Sequence, residues 1–339
     1  MQQYRIDPRV DEDFNAWFVV YQRSELARDD ENSSGWHPEE IRARAMDDGG
    51  PDVTHLLAFG DLGAVPVSVA KVEATRNDAT PWWRTELHVD PLLRGRGFGS
   101  AHLAELETYV RTRGRREIVV AVIEGANEVG RAPNRSFAPR HGYTLGDESA
   151  RRDLAWPFPT AVRDELLARW RPLAPDYEIL TWTSTTPERW LADRAHLTAV
   201  MPSEAPYADL EPLSEQWDAD RVRRFEERVA SMGRELLVAA ARHVPSDSLV
   251  AFSELTVSRE SPDTAYQWDT LVLRPHRGHR LGGLMKLATM DLLAHTGLPV
   301  RRISTFNSLL NTPMIRVNEQ LGARLAGANL LWRKTLSEN

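Results

Sequence analysis

The sequence predicts an α/β protein with a mixed sheet, and it predicts that plan twice in one chain. Two observations carry this reading. First, "ELHVDPLLRGRGFGSAHLAELETYV" and "DTLVLRPHRGHRLGGLMKLATMDLL" share one layout: an acidic residue, a Val three positions on, then Arg-Gly-x-x-x-Gly and an apolar-periodic segment. Val89 corresponds to Val272, Arg94 to Arg277 and Gly99 to Gly282, each pair 183 positions apart. Second, the surroundings repeat as well. Three apolar runs separated by turn residues precede each copy, and a strand, an Asn-rich turn, a short helix and a last strand follow it.

The elements follow in order. In the first half "THLLAFG", "VPVSVAKVEA" and "WRTELHV" read as an antiparallel meander, as do "ELLVAAARHV", "SLVAFSELTV" and "AYQWDTLVL" in the second. Helices over His102–Arg113 and Leu284–His295 come next, with apolar positions every three or four residues and a closing glycine, Gly114 or Gly297. The strands "EIVVAVIEG" and "VRRISTFN" follow, then "NRSFAPRHGY" and "NTPMIRVNEQLGA", and the last strands "RRDLAWP" and "ANLLWRKTL" close each half. Helical stretches open each half: Glu12–Ala27 with Pro38–Ala45, and Pro187–His196 with Asp218–Met232. "PTAVRDELLARWRPLAP" has prolines at both ends and a charged helix between them. It is read as a helical linker, residues 159–175, between an N-terminal domain, 1–158, and a C-terminal domain, 176–339.

Composition bounds the function. Of 339 residues 42% are hydrophobic and 27% charged, enough to build two full cores. No apolar run is long enough to span a membrane, and "MQQYRIDPRVDEDF" lacks the apolar region of a secretory signal, so a cytoplasmic location is expected. There are no cysteines, which removes disulfides, thiolate metal sites and cysteine nucleophiles, and no metal site is expected. The net charge of −7 argues against nucleic-acid binding. The only lysines are Lys71, Lys286 and Lys334, so 39 of the 42 basic residues are arginine, a usage typical of a GC-rich bacterial genome.

Against this background the loop Arg274–Gly283 is a local exception, with five Arg or His residues and two adjacent glycines. A glycine-rich turn between a strand and a helix exposes backbone N–H groups at the positive end of the helix dipole, where a phosphate binds. Arg and His at its flanks add charge-assisted bonds. A single such loop reads equally well as a charged turn that caps a helix; two matched copies favour a pyrophosphate grip. Neither copy has the Gly-Lys-Ser/Thr of a P-loop. "GRGFG" follows the third strand of its half rather than the first, unlike a dinucleotide-binding fingerprint, and "GHRLGG" loses that pattern. Coenzyme A is the ligand class that remains.

At these residues the chain resembles the GNAT superfamily, the Gcn5-related N-acetyltransferases, whose core motif is (Arg/Gln)-x-x-Gly-x-(Gly/Ala). The first half matches at Arg94, Gly97 and Gly99; the second matches at Arg277 and Gly282 but has Arg280 where a glycine is expected. Asn307 and Asn311 before Leu321-Gly322-Ala323 are similar to the family's later Asn-helix-Gly motif. As a tandem duplication the chain looks like the actinobacterial type that includes mycothiol synthase. The resemblance implies two tandem GNAT folds, acetyl-CoA as cofactor, and direct acetyl transfer to the primary amine of a small molecule in a ternary complex. It implies that Leu271, Val272, Leu273, Arg277, Gly278, His279, Arg280, Leu281, Gly282 and Gly283 hold the cofactor in one half, with Asn307 and Asn311 lining its pantetheine arm or serving as turn and N-cap residues. In the other half the corresponding residues are Val89, Arg94, Gly95, Arg96, Gly97, Phe98 and Gly99.

The resemblance also points to an acidic base before each Val: Asp269, or Glu86 in the first half. Asp269 and Val272 face opposite ways on a regular strand, so Asp269 requires the family's bulge. Glu254 on the neighbouring strand competes with it as base or amine anchor, and His276 belongs to the phosphate-side loop or acts as a base. The family tyrosine four residues before the late glycine is Asn318 in the second half and Ala138 in the first, and neither is an acid. The better late motif favours the second half as catalytic and the first as a degenerate copy. The segment Met201–Val222 carries Glu204, Asp209, Glu211, Glu215, Asp218 and Asp220, and Tyr207, Trp217 and Trp268 add aromatic rings. Such a rim suits a cationic amine, or is a solvated loop with packing tryptophans. Two other readings remain: a non-catalytic acyl-CoA-binding or regulatory module, and a protein N-acetyltransferase. A monomer or homodimer without nucleic-acid or membrane partners is expected.

Overall fold

The computed structural model describes all residues except 29–34, 48–51, 76–81, 127–128, 131–133, 205–215 and 338–339. Tyr207, Asp209, Glu211 and Glu215 of the expected acidic rim therefore lie outside the described residues. The chain forms two compact units, Met1–Ser149 with Gly327–Asn339, and Ala150–Ala326.

Unit 1 runs β1 (Gln2–Arg5), α1 (Asp11–Leu26), α2 (Pro38–Met46), β2 (Asp52–Gly60), β3 (Ser68–Thr75), β4 (Trp82–Val89), α3 (Phe98–Arg111), β5 (Glu117–Gly125), α4 (Asn134–Arg140) and the start of β6 (Thr144–Ala155). Its sheet has the order β1-β2-β3-β4-β5 and then β12 (Arg324–Thr335). Alternation along the strands divides two cores. Leu57, Ala70 and Val72 pack with Leu103 and Leu106 of α3 on one face. Leu56, Ala58 and Val69 pack with Phe14, Trp17 and Tyr21 of α1 and Ile41 of α2 on the other.

Unit 2 repeats this with β7 (Tyr177–Thr183), α6 (Leu191–Glu204), α7 (Ala219–Ser231), β8 (Arg234–His243), β9 (Ser248–Ser258), β10 (Thr264–Val272), α8 (Leu281–His295), β11 (Arg302–Ser308) and α9 (Thr312–Gln320). Its sheet order is β6-β11-β10-β9-β8-β7. Here too Leu237, Ala251 and Leu255 face α8, while Leu236, Val238 and Phe252 face the other way with Leu197 and Val229.

Three features differ from the sequence reading. The last strands are exchanged. "ANLLWRKTL" leaves the second half and pairs antiparallel with β5, Gly327 opposite Gly125 through Thr335 opposite Glu117, and the end of β6 takes the place beside β11. Both segments alternate apolar and polar residues in the same way, so pattern alone does not choose their partner. The expected linker is part of unit 2: α5 (Thr160–Trp170) docks through Trp170, which is 2% exposed in the core with Leu284 and Leu287. Its Arg163 adds a bond from Nε to Asp291 Oδ1 of α8, 2.6 Å. Finally, each unit opens with an edge strand, β1 or β7, that the meander pattern did not include.

Candidate functional site

In unit 1, β4 and β5 run parallel and pair from Trp82 opposite Glu117 to Thr85 opposite Val120. Beyond that point they part. Glu86–Val89 stay with β3, while Ala121–Gly125 stay with β12. The splay opens a cavity of about 730 Å³, lined by Leu87, His88 and Val89 on one side and Val120–Ile123 on the other. The start of α3, with Gly97, Phe98, Gly99 and Leu103, closes one end, and Ser24, Glu25 and Arg28 at the end of α1 close the other. Unit 2 repeats the geometry: β10 and β11 pair from Thr264–Arg302 to Gln267–Thr305 and then separate. The bulge that the family resemblance requires is present between Gln267 and Thr270. Unit 1 has none; its β3–β4 register is unbroken.

Both loops fold alike. Gly95 and Gly97 have φ of +75° and +86°, and Gly278 and Arg280 have +92° and +59°. Arg280 thus adopts the left-handed conformation of Gly97, at a cost its Cβ imposes. The N-cap position of each following helix, Gly97 or Arg280, has no side-chain cap bond, which leaves first-turn N–H groups for a ligand. Arg94 Nε and Arg277 Nε each donate to the carbonyl of the strand-final valine, Val89 at 3.4 Å and Val272 at 3.0 Å. Asp90 N–H donates to the carbonyl of Val67, the residue before β3, so the Val89 N–H one residue earlier points into the splay. Leu273 N–H donates to Val250, which leaves the Val272 N–H in the same situation.

The remaining predicted residues separate into those that face a cleft and those committed elsewhere. Phe98 and Gly99 line the unit 1 cavity, and Arg96 is exposed. In unit 2, Leu271 and Leu281 are buried. Arg274 Nε and Arg277 Nη2 converge on one Glu204 carboxylate oxygen, at 3.0 and 2.6 Å. His279 Nδ1 donates to the Leu173 carbonyl, 3.0 Å. His276 Nδ1 lies 3.0 Å from the Tyr177 hydroxyl, and burial with His243 and His279 nearby pushes its pKa down. Arg280 points to Gln320, 3.5 Å. Gly282 approaches Thr270 and Met314, whereas Gly283 abuts an indole: a Cβ there would stand 2.5 Å from Trp170 Cζ3. That contact, not a phosphate, accounts for the second glycine of the pair.

Among the predicted catalytic residues, Glu254 is 2% exposed and ion-paired with buried Arg194 of α6. Asn318 is buried and donates to Asn307 Oδ1, 2.6 Å. Asn311 caps α9, accepting from Met314 N–H at 3.3 Å. Asp269 is exposed on the bulge. Asp218 caps α7; Trp217 and Trp268 pack against Phe225. In unit 1, Glu86 lies 3.1 Å from buried Lys71. Burial raises its pKa, but Lys71, His88 and Arg84 outweigh that and hold it well below the usual carboxylate range.

His88 is the residue the sequence reading did not single out. It lines the cavity, with Nδ1 3.7 Å from Glu25 Oε1 and Nε2 4.0 Å from Glu86 Oε2. Its ring stands edge-on to Tyr21, 4.9 Å between centroids. Glu25 is itself ion-paired with Arg28. Strand alternation was the available signal: His88 shares the face of Glu86, opposite Val89.

The two-unit fold with a splayed sheet and an uncapped helix after each splay is the tandem GNAT fold. A tandem GNAT protein from the clavulanic acid biosynthesis pathway, in a structure without acetyl-CoA, matches at TM-score 0.77 and 21% identity, over 100% of this chain and 99% of that one. A GCN5-related N-acetyltransferase from Sphaerobacter thermophilus matches at 0.65 and 16%, over 99% and 96%. The GCN5-related glucosamine N-acetyltransferase region of a fungal multi-domain GH3 β-N-acetylglucosaminidase matches at 0.64 and 13%, over 98% of this chain and 38% of that one. No family model and no curated protein matches the sequence. At these identities the likeness is one of fold. Among the described residues no helix is long and apolar enough to cross a membrane, and no acidic, His or Cys group could hold a metal ion.

Proposed function

We propose that the protein is an acetyl-CoA-dependent N-acetyltransferase acting on a small primary amine, and that unit 1 carries the transfer. The observation that carries this reading is the cavity that runs through the β4–β5 splay from the α3 loop to α1. It lies in the half that the motif comparison set aside as degenerate.

The residues fit the donor. Arg94 precedes, and Arg96 lies within, a loop whose left-handed glycines Gly95 and Gly97 bring backbone N–H groups to a pyrophosphate without an intervening Cβ. The apolar walls Leu87, Leu103, Val120 and Val122 suit a pantetheine arm. Coenzyme A supplies the acyl group as an activated thioester. The chain supplies position and proton transfer. Val89 N–H is a fixed donor for a carbonyl oxygen in the splay. On the opposite face of β4, His88 is placed to take the proton from an incoming ammonium, and the charge it gains is met by Glu25 and Glu86. Tyr143 lines the cavity, but its hydroxyl donates to Glu107 at 3.0 Å, and burial with that charge nearby raises its pKa. With Ala138 four residues before Gly142, the thiol leaves through water or as thiolate.

The test is thiol release from acetyl-CoA across a panel of aminosugars, polyamines and amino-acid-derived amines, run beside peptides. Release with a small amine and none with peptides is expected. Acetyl-CoA binding without thiol release from any amine would sink the enzyme reading.

A further inference from the structure

Unit 2 keeps the backbone of the cleft and inverts its lining. The last parallel pair is Thr85–Val120 in one unit and Gln267–Thr305 in the other, which fixes the equivalences. Leu87 and Thr270 each lie two residues before the strand-final valine. Leu103 and Lys286 each lie four residues after Gly99 or Gly282. Val122 and Asn307 each lie two beyond the last pair, and Ala138 and Asn318 four before Gly142 or Gly322. Every apolar wall residue of unit 1 in this set has a polar counterpart in unit 2. Buried polar groups cost free energy unless something satisfies them.

We propose that unit 2 binds a carboxylate-bearing small molecule in the β10–β11 splay, with the carboxylate pairing to the Lys286 ammonium. Lys286 is 2% exposed on α8. It lies one turn beyond Gly282, on the same helix face, and the Cβ position of Gly282 is 3.8 Å from Thr270 Cγ2. A helical side chain leans toward the N-terminus, so the lysine stem runs toward the splay. Among the described residues no carboxylate pairs with it, and burial alone acts on its pKa, lowering it to about 7. The chain's other lysines are paired, Lys71 with Glu73 and Glu86, Lys334 with Glu107. The surrounding polar groups are already ordered: Ser253 Oγ lies 2.8 Å from Thr270 Oγ1 and accepts from Gln267 Nε2 at 3.1 Å. Gln267 Oε1 is a buried group without a hydrogen-bond partner among the described residues. A ligand with a carboxylate for Lys286 and an N–H or O–H for Gln267 satisfies both.

The carboxylate can come on the acyl chain of a coenzyme A thioester or from a free acid. The proposal does not depend on transfer in unit 1. Calorimetric titration of the full chain and of Lys286→Leu with succinyl-CoA, acetyl-CoA and free succinate tests it; leucine is what unit 1 holds at this position, and a melting curve confirms folding. Any binding in unit 1 is common to both chains. At least a tenfold loss of affinity in Lys286→Leu is expected for a carboxylate probe, with acetyl-CoA unchanged. A loss for succinate identifies a free acid, and one confined to succinyl-CoA identifies an acyl-borne carboxylate. No binding of either probe by the wild-type chain, equal affinities in both chains, or an equal loss for acetyl-CoA overturns the proposal.

Discussion

The two clefts share a backbone and differ in their lining. Each has a parallel pair that parts after four residues, a loop with two left-handed positions and an uncapped helix. In unit 1 that frame encloses an apolar cavity with His88 between two carboxylates. In unit 2 the corresponding walls are Thr, Asn and Lys, and the acidic residue of β9, Glu254, is locked to Arg194. The loop arginines of unit 2 are likewise held by Glu204. After duplication, strand pairing and turn conformation stayed because local backbone rules impose them, while the side chains pointing into the splay were free to diverge. A motif match therefore reports the frame, and the lining reports the task.

The largest effect is expected from removing the proposed base of unit 1, His88, and the residue that the sequence points to in unit 2, Asp269. His88→Gln should lower kcat by roughly 10²–10⁴-fold with acetyl-CoA affinity unchanged. Asp269→Asn, on the exposed bulge of unit 2, should leave thiol release within about threefold of wild type, the range of an exposed substitution outside the reacting groups. Steady-state thiol release read for both variants decides; the reverse pattern moves catalysis to unit 2. Glu254→Gln is a poorer probe, because it strands buried Arg194 and costs ~3–5 kcal/mol of stability whatever its role.

Much of the frame was legible in the sequence, because period-2 strands, period-3.6 helices and glycine punctuation are local signals. The bulge was expected on Asp269 and is there. What was not legible depends on tertiary choices. β6 and β12 alternate alike, so only packing assigns Leu330 and Trp332 to unit 1 and Leu154 to unit 2. The prolines on either side of "TAVRDELLARWR" suggest a linker, yet Trp170 ends in a core. At the site, the loops could be read from their glycines, but the acidic Glu86 draws the base assignment away from His88. Only the structure shows that Lys71 commits Glu86. The inverted lining of unit 2 emerges once the extra residue of the bulge is placed, since a shift by one exchanges the two faces of β10.

The lining itself can be tested through stability. Among the described residues no carboxylate meets buried Lys286, and burial pushes its pKa down to about 7, against 10.5 for a free lysine. Between those values the unfolded chain binds a proton that the folded chain does not, so wild-type stability rises with pH across that window. Below it both states are protonated and the full burial cost applies. Lys286→Leu should therefore raise stability by ~3–5 kcal/mol at or below pH 7. The gain should shrink toward pH 10. Urea melts at pH 6.5, 8 and 9.5 check the sign; a gain that is flat or grows with pH would mean the ammonium is compensated in the folded state.

A smaller effect separates the two glycines of unit 2. Gly283→Ala places a Cβ against Trp170, and should destabilise by ~1–3 kcal/mol through overpacking, with the KM for acetyl-CoA unchanged. Ser100 holds the equivalent place in unit 1, where its hydroxyl lies 2.9 Å from His141 Nε2, so the glycine answers to α5 alone. Recovery of the lost stability in Gly283→Ala with Trp170→Leu would confirm that the contact, and not the helix terminus, demands it.

The smallest expected effect bears on the one motif position where the halves disagree. Arg280 sits at φ +59° where Gly97 sits at +86°. Arg280→Gly relieves the left-handed penalty but frees the unfolded chain, so a net gain of about 0.5–1 kcal/mol is expected. In a unit of this size that is a rise of about 1–4 °C in Tm. Among the described residues the guanidinium hydrogen-bonds Gln320 alone, at 3.5 Å on the surface, so little native contact is lost. If unit 2 uses the loop only as a frame, ligand affinity does not change with the substitution. If the affinity for succinyl-CoA falls while Tm rises, arginine is kept at a strained position because it meets the ligand, and the two loops then differ in function as their linings do.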